Sequence, residues 1–379
     1  MTAWAQWFLS HALCGTRDLV EGEALTKASL DGFRALGERW GEAAAPADRS
    51  VQRLLRGDLA GTEKDAGRSA ELFREVGEVG EVGDACGQLW SVYPLSSVAE
   101  IHGDYARAAR LRQDGLDTAE EFGLSTQAAD LLSGLGRTAL LTGDLGRARE
   151  YHERSRRLAA ELGFRAGEIN AELGLGLGAR REGLFDEAAA RMRTVLEWHR
   201  QVGLDGANAL ILAELGFIAE LRGDAQGAPA HHEEGYATAL ATGDPRAVAL
   251  ALEGLAAAHA LAGRPGIAAL LLGAASAARA ATGAPLPAAE RPDVNPHHRR
   301  GDGRAGRGGI RGLLHEGRVA VAGGGTGAGV ADSSRGGGTA HYRLTHRAER
   351  LVPLRGRSAI VERWCGCQTL TRCAGRLLS

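Results

Sequence analysis

The chain has 379 residues, 44% hydrophobic and 24% charged, with a formal net charge of -2. Those proportions belong to globular protein and exclude collagen-like or wholly disordered chains, and the length suits two or three domains or one long array. No apolar run approaches the roughly 18 residues of a membrane span, the start MTAWAQWFLSHALC lacks the basic stretch of a secretory signal, and five scattered cysteines make no disulfide framework, so a cytoplasmic setting is expected.

The near-zero charge hides a split. Residues 291–379 hold 16 arginines against 6 acids, whereas residues 1–290 hold 29 basic and 41 acidic residues. All seven phenylalanines also precede residue 291, so two kinds of sequence meet there.

Taken in chain order, Met1–Cys14 reads as a first amphipathic helix, and Leu13-Cys14 resembles a lipoprotein-processing site only faintly. A motif then recurs as RGDLAGT, HGDYARA, TGDLGRA, EGLFDEA, RGDAQGA and AGRPGIA, around Gly57, Gly103, Gly143, Gly183, Gly223 and Gly263, after a first copy at Arg17-Asp18. A second series, Gly37, Gly77, Gly123, Gly163, Gly203, Gly243 and Gly283, shares its period of 40 residues. Each series has one longer step of 46 residues, explained by the threefold EVG in Glu75–Gly83. A duplication there falls in a loop, where added length costs little.

Each unit reads as two helices around a tight turn. Eight residues before the turn glycine stand Leu9, Leu95, Leu135, Leu175, Leu215 and Leu255, with Arg49 the exception. The next position is small throughout: Ser10, Ser50, Ser96, Gly136, Gly176, Gly216 and Ala256. Five after the glycine come Gly22, Thr62, Ala108, Ala148, Ala188, Ala228 and Ala268. Twelve after it come Ser29, Ser69, Gly115, Ser155, Val195, Gly235 and Ala275. Leucine fills the gap between paired helices, and small residues let helix axes approach to about 8–10 Å. The glycine supplies a left-handed residue and the aspartate after it caps the second helix. One pair cannot bury its own face, so the pairs must stack. The fold expected is all-α: a right-handed solenoid of about seven antiparallel helix pairs over residues 1–290, followed by a disordered Gly/Arg-rich tail.

This pattern resembles the tetratricopeptide repeat over residues 1–284, with a unit of 40 residues in place of the usual 34 and therefore longer helices. The last unit, LLLGAASAARAATGAPLPAAERPDV (Leu270–Val294), is similar to the C-terminal repeat region of large bacterial transcriptional regulators of the SARP/AfsR and large LuxR types. The resemblance implies a regulatory array that senses partners and restrains an ATPase module. Lys27 and Lys64, the only lysines, follow no glycine, so no phosphate-binding loop is present. No helix-turn-helix lies outside the repeat register. The resemblance therefore implies the repeat part alone, with a separate ATPase or DNA-binding subunit as one partner.

After Val294 the repeat pattern stops, and two readings stay open. Back-translating GIRGLLHEG and dropping one base yields AFEAFFTR, resembling the helix the family would carry, so a frameshift near residues 292–296 accounts for the tail. The alternative is an Arg/Gly-rich arm that binds nucleic acid.

Other motifs read as structure. GLGLG (174–178) falls in the repeat's own Leu-small positions, not between a strand and a helix as a dinucleotide loop requires. Cys365, Cys367 and Cys373 lack a fourth metal ligand, and His231-His232 and His297-His298 read as solvated. EYHERSRR and ARREGLFDEAAARMR read as solvated helix faces, and the acidic pairs Glu120-Glu121 and Glu233-Glu234 as ordinary surface. No catalytic, cofactor or metal constellation is found, so a binding protein rather than an enzyme is expected. In a tetratricopeptide-like array the first helices line a concave groove. Register places Trp90, Tyr93, Asp130, Arg137, Asn170, Arg180, Arg181 and Phe217 there, a mixture suited to a peptide or an extended protein segment. Trp90 and Phe217 can equally pack between repeats.

Overall fold

A computed structural model describes residues 2–13, 19–76, 82–204, 207–224 and 226–283, with side chains described from residue 85 in the third of these stretches. The tail with both its readings, residues 77–81 of the EVG repetition, Cys14 and the Arg17-Asp18 copy all lie outside the described residues. Among the described residues there are fifteen α-helices and no strands. They pair as α1 (Thr2–Leu13) with α2 (Leu19–Leu36), α3 (Arg39–Arg56) with α4 (Leu59–Val76), and α5 (Val82–Leu89) plus α6 (Val92–Ile101) with α7 (Tyr105–Glu121). Then follow α8 (Ser125–Thr142) with α9 (Leu145–Glu161), α10 (Arg165–Arg181) with α11 (Phe185–Gln201), α12 (Asn208–Leu221) with α13 (Gly227–Thr242), and α14 (Pro245–Leu261) with α15 (Pro265–Ala281). The described residues form an all-helical repeat solenoid.

The turns follow from backbone chemistry. Twelve glycines, from Gly37 to Gly283, have φ between 60 and 82°, the left-handed region that a side chain disfavours. Behind five of them an aspartate accepts a backbone N–H of the first helical turn: Asp58 from Gly61 at 2.9 Å, Asp104 from Arg107 at 2.9 Å, Asp144 from Arg147 at 3.0 Å, Asp224 from Gly227 at 2.8 Å and Asp244 from Arg246 at 2.8 Å. At the turns between units, Leu124, Phe164 and Leu204 stand in the aspartate's place, and each is buried. They close the seam between one unit and the next.

The small-residue series are buried as the spacing requires. Ser10, Ser50, Ser96, Thr62, Ala108, Ala148, Ala188, Ala228, Ala268, Ser29, Ser69, Ser155, Val195 and Ala275 are at most 1% exposed. The hydroxyls among them are satisfied inside the protein. Ser69 donates to the Ala43 carbonyl at 2.8 Å and Ser155 to that of Ala129 at 2.7 Å. Both bonds tie a second helix to the first helix of its own unit.

The third unit departs from the expected single first helix. Its helix is divided into α5 and α6 at Trp90-Ser91. Pro94 has no N–H to give the Trp90 carbonyl, and its ring crowds the preceding turn. The Trp90 and Ser91 amides bond instead to Gly87 and Gln88, three residues back, at 3.2 and 3.3 Å. The break turns Trp90 toward the first two units. There it joins Trp4, Trp7, Phe8, Phe33, Trp40 and Phe73 in an aromatic core, with Trp7 and Trp90 stacked at 5.9 Å. The later units pack alanine, leucine and isoleucine instead.

First helices of successive units touch one another: α8 with α10, α10 with α12, and α12 with α14. Each second helix but the last packs chiefly between two first helices, as α9 does between α8 and α10. The first helices therefore form the inner side of the curve. No described helix is long and apolar enough to cross a membrane.

Candidate functional site

Trp90, Asp130 and Asn170 each stand thirteen residues before a turn glycine, at the break before α6, on α8 and on α10 respectively. Equal register on neighbouring first helices makes them one row along the inner side. Asp130 and Asn170 are exposed. Tyr93 is 42% exposed. The Arg137 side chain is 54% exposed, and its Nε lies 3.1 Å from Glu100 Oε2. These four present an aromatic ring, a carboxylate, a guanidinium and an amide on one surface.

The other four residues expected in the groove are placed differently. Arg180 and Phe217 are each only 5% exposed. Arg180 forms a salt bridge to Glu214 of the next unit, and its guanidinium lies 5.9 Å over the Phe217 ring. Phe217 in turn meets the His232 ring edge-on at 5.2 Å. Both are spacers between units, because a charge and its counter-ion were drawn together into the interface. Arg181 is half-buried and donates to the Leu140 carbonyl of the preceding unit. Trp90 is half-buried in the aromatic core.

A second series escaped the reading of the sequence. Nine residues after each turn glycine stand Thr26, Ala66, Arg112, His152, Met192, His232 and Leu272, all buried. The Arg112, His152 and His232 side chains enter the interface between their own unit and the next. Where the side chain is a ring, glycines make room on both sides: a Cβ on Gly136 or Gly174 would overlap the His152 imidazole, and one on Gly216 or Gly254 would overlap that of His232. Met192 meets a glycine on one side only, where a Cβ on Gly176 of its own unit would lie 3.0 Å from its Cε. GLGLG is thus helix interior seating two neighbours, as its register implied. His232 is 0% exposed and His152 3%, so the expectations of solvated His231-His232 and a solvated EYHERSRR face fail at these positions. In the fourth and sixth units the signal was present in the sequence as a histidine nine residues after the turn glycine, with glycine at both of its contact positions.

The polar members differ in how they are satisfied. Arg112 bonds to Glu100, to Thr138 Oγ1 and, at 2.9 Å, to the Gly134 carbonyl. Burial alone would raise the Glu100 carboxyl, but the Arg137 and Arg112 guanidiniums and the hydrogen bonds from Arg112 and Thr138 outweigh it, holding the carboxyl below its ordinary range. His232 Nε2 lies 2.9 Å from Glu220 Oε1. Both nitrogens of His152 lack a hydrogen-bond partner, and burial lowers its pKa to about 4. At the position where the third and sixth units carry Glu100 and Glu220, the fourth unit has Leu140. That substitution explains why His152 has no acceptor.

Comparison with known proteins bears on the fold. No protein-family description matches the sequence, and no curated protein matches it. The apo form of RapI has a similar fold, with a TM-score of 0.52 at 10% identity over 74% of this chain and 98% of RapI. BtubC (BKLC) from P. vanneervenii aligns with a TM-score of 0.46 at 21% identity over 60% of this chain and 94% of BtubC. The class of protein thus defined is the helical-repeat solenoid.

Proposed function

We propose that this chain is a protein-interaction module that binds a peptide or an extended protein segment along its inner side. The observation that carries this reading is the exposed set of Tyr93, Asp130, Arg137 and Asn170 on consecutive first helices, with Asp130 and Asn170 in the same repeat register. Charged and amide groups beside an aromatic ring provide the mixture that such ligands use. Its role is binding rather than catalysis. The finer proposal is that the array serves a bacterial transcriptional regulator of the SARP/AfsR or large LuxR type, as its sensor repeat region, with the ATPase or DNA-binding part as a partner. The similarity of Leu270–Val294 to that repeat region supports it.

The test is a peptide-array screen with the full chain, repeated with the triple variant Tyr93→Ala, Asp130→Ala, Asn170→Ala, which leaves the Arg137–Glu100 pair in place. Loss of the captured peptides with an unchanged helical melt supports the groove. Equal capture by both proteins, or no capture by the wild type, overturns it.

A further inference from the structure

In a solenoid each unit touches only its neighbours. Here, however, the turn of the second unit meets the start of the seventh. Arg246 Nη2, at the beginning of α14, donates to the carbonyl of Leu54 near the end of α3 at 3.0 Å, across 192 residues of sequence. The guanidinium is already aimed by its own helix cap: Asp244 accepts from Arg246 Nε at 3.1 Å, from Nη2 at 3.0 Å and from the backbone N–H at 2.8 Å. Its target is one of the last carbonyls of a helix, where a cation is favoured by the helix dipole.

Around this bond the two segments fit closely. A Cβ on Gly57 would lie 3.3 Å from Pro245 Cγ and 3.7 Å from Thr282 Cγ2, and one on Gly243 would lie 3.7 Å from Arg56 Nη1. Arg56 itself is held back by Glu23 on α2, at 3.0 and 3.4 Å. The seam therefore consists of one charge-assisted hydrogen bond and the seating of one glycine turn against a proline and a threonine. No pair of described helices packs extensively across it, unlike a lasting interface, which buries roughly 1,000 Å² or more, so it can part without unfolding either side.

We propose that this seam is a reversible clasp: it closes the array into a ring and controls entry to the inner side. Parting it opens the row of Tyr93, Asp130, Arg137 and Asn170 to a partner too bulky to thread the ring. That consequence rests on the proposed binding role, whereas the clasp itself is tested without any partner.

The experiment is small-angle X-ray scattering on the full chain, comparing the wild type with Arg246→Glu and, separately, with the wedge Thr282→Trp. The glutamate repels the carbonyl, and the indole fills the space beside Gly57. Both variants should shift the pair-distance distribution to longer distances while the far-ultraviolet circular dichroism stays unchanged. Identical distributions for all three proteins would overturn the clasp. So would a wild-type distribution already matching an open superhelix. If only Arg246→Glu fails to fold, the wedge variant alone decides.

Discussion

The imidazole of His152 and the Cα of Gly174 share one slot between the fourth and fifth units: a Cβ on Gly174 would overlap the ring. Gly136 closes the other side of the slot in the same way. These glycines are required by close approach rather than by backbone angle, since both lie within helices.

Gly174→Ala should therefore destabilise the protein by about 1–3 kcal/mol through overpacking. Gly67, in α4, has nothing within 4 Å of its Cβ position, and Gly67→Ala should stabilise by about 0.5–1 kcal/mol through helix propensity. Thermal midpoints of the two variants should move in opposite directions. A combined His152→Ala, Gly174→Ala protein should recover part of the loss, read as a coupling energy in the double-mutant cycle.

His152 also makes stability depend on pH. Its folded pKa is about 4, while the unfolded chain titrates near the ordinary histidine value of about 6.5. Between those two values the unfolded chain binds a proton that the folded chain refuses. Stability therefore falls as pH falls through that window, by about 3 kcal/mol in all. None of the charged residues on the flanking helices offsets this: neither Asp130 and Arg137 on α8 nor Glu168, Glu172, Arg180 and Arg181 on α10 shifts the group, and burial is the cause. Urea denaturation at stepped pH should show this slope in the wild type and a flatter one in His152→Leu.

The Glu100–Arg112 pair is buried, with side chains 1% and 4% exposed. Removing Arg112 alone leaves the carboxylate with Arg137 as its remaining ion-pair partner, and Arg112→Met should cost about 3–5 kcal/mol. Replacing both, as Glu100→Leu with Arg112→Met, removes the buried charge and should cost less than the single change. A double variant less stable than Arg112→Met would contradict this account. Because the Glu100 carboxyl titrates below its ordinary range, its contribution is present at neutral pH. It disappears as pH falls through that lowered value.

Arg180 and Asn170 separate structure from binding surface. Arg180→Ala abandons the buried Glu214 carboxylate and should lower stability by about 3–5 kcal/mol. Asn170→Ala and Asp130→Ala, on the exposed inner row, should stay within about 0.5 kcal/mol of the wild type. Guanidinium melts of the three single variants check both statements. A marginal effect of Arg180→Ala would return that residue to the list of surface contacts.

The repeat was readable because its signals are local. A glycine with positive φ, an aspartate that caps the next helix, and small residues one and two turns away each act within a few residues of sequence, and each recurs with the unit. Pitch, pairing and the all-helical class follow from these. The division of the third unit's first helix was also visible in principle, since Pro94 alone removes the bond that would hold it. The exposed row could be placed by register, because Asp130 and Asn170 differ by one unit length.

Which polar residues face inward depends on packing between units. Arg180 and Arg137 both stand on first helices, yet one is sealed by Glu214 and Phe217 while the other stays half in solvent beside Glu100. His152 and His232 sit among charged neighbours in sequence but occupy slots cut by glycines from two different units. Burial of a charged or polar group depends on whether a counter-ion, an acceptor or a gap arrives from another unit. Sequence periodicity does not encode that arrival directly. The same holds for Arg246, whose partner lies 192 residues away: the sequence set the curvature of each step, and only their sum brought the two ends of the seam together.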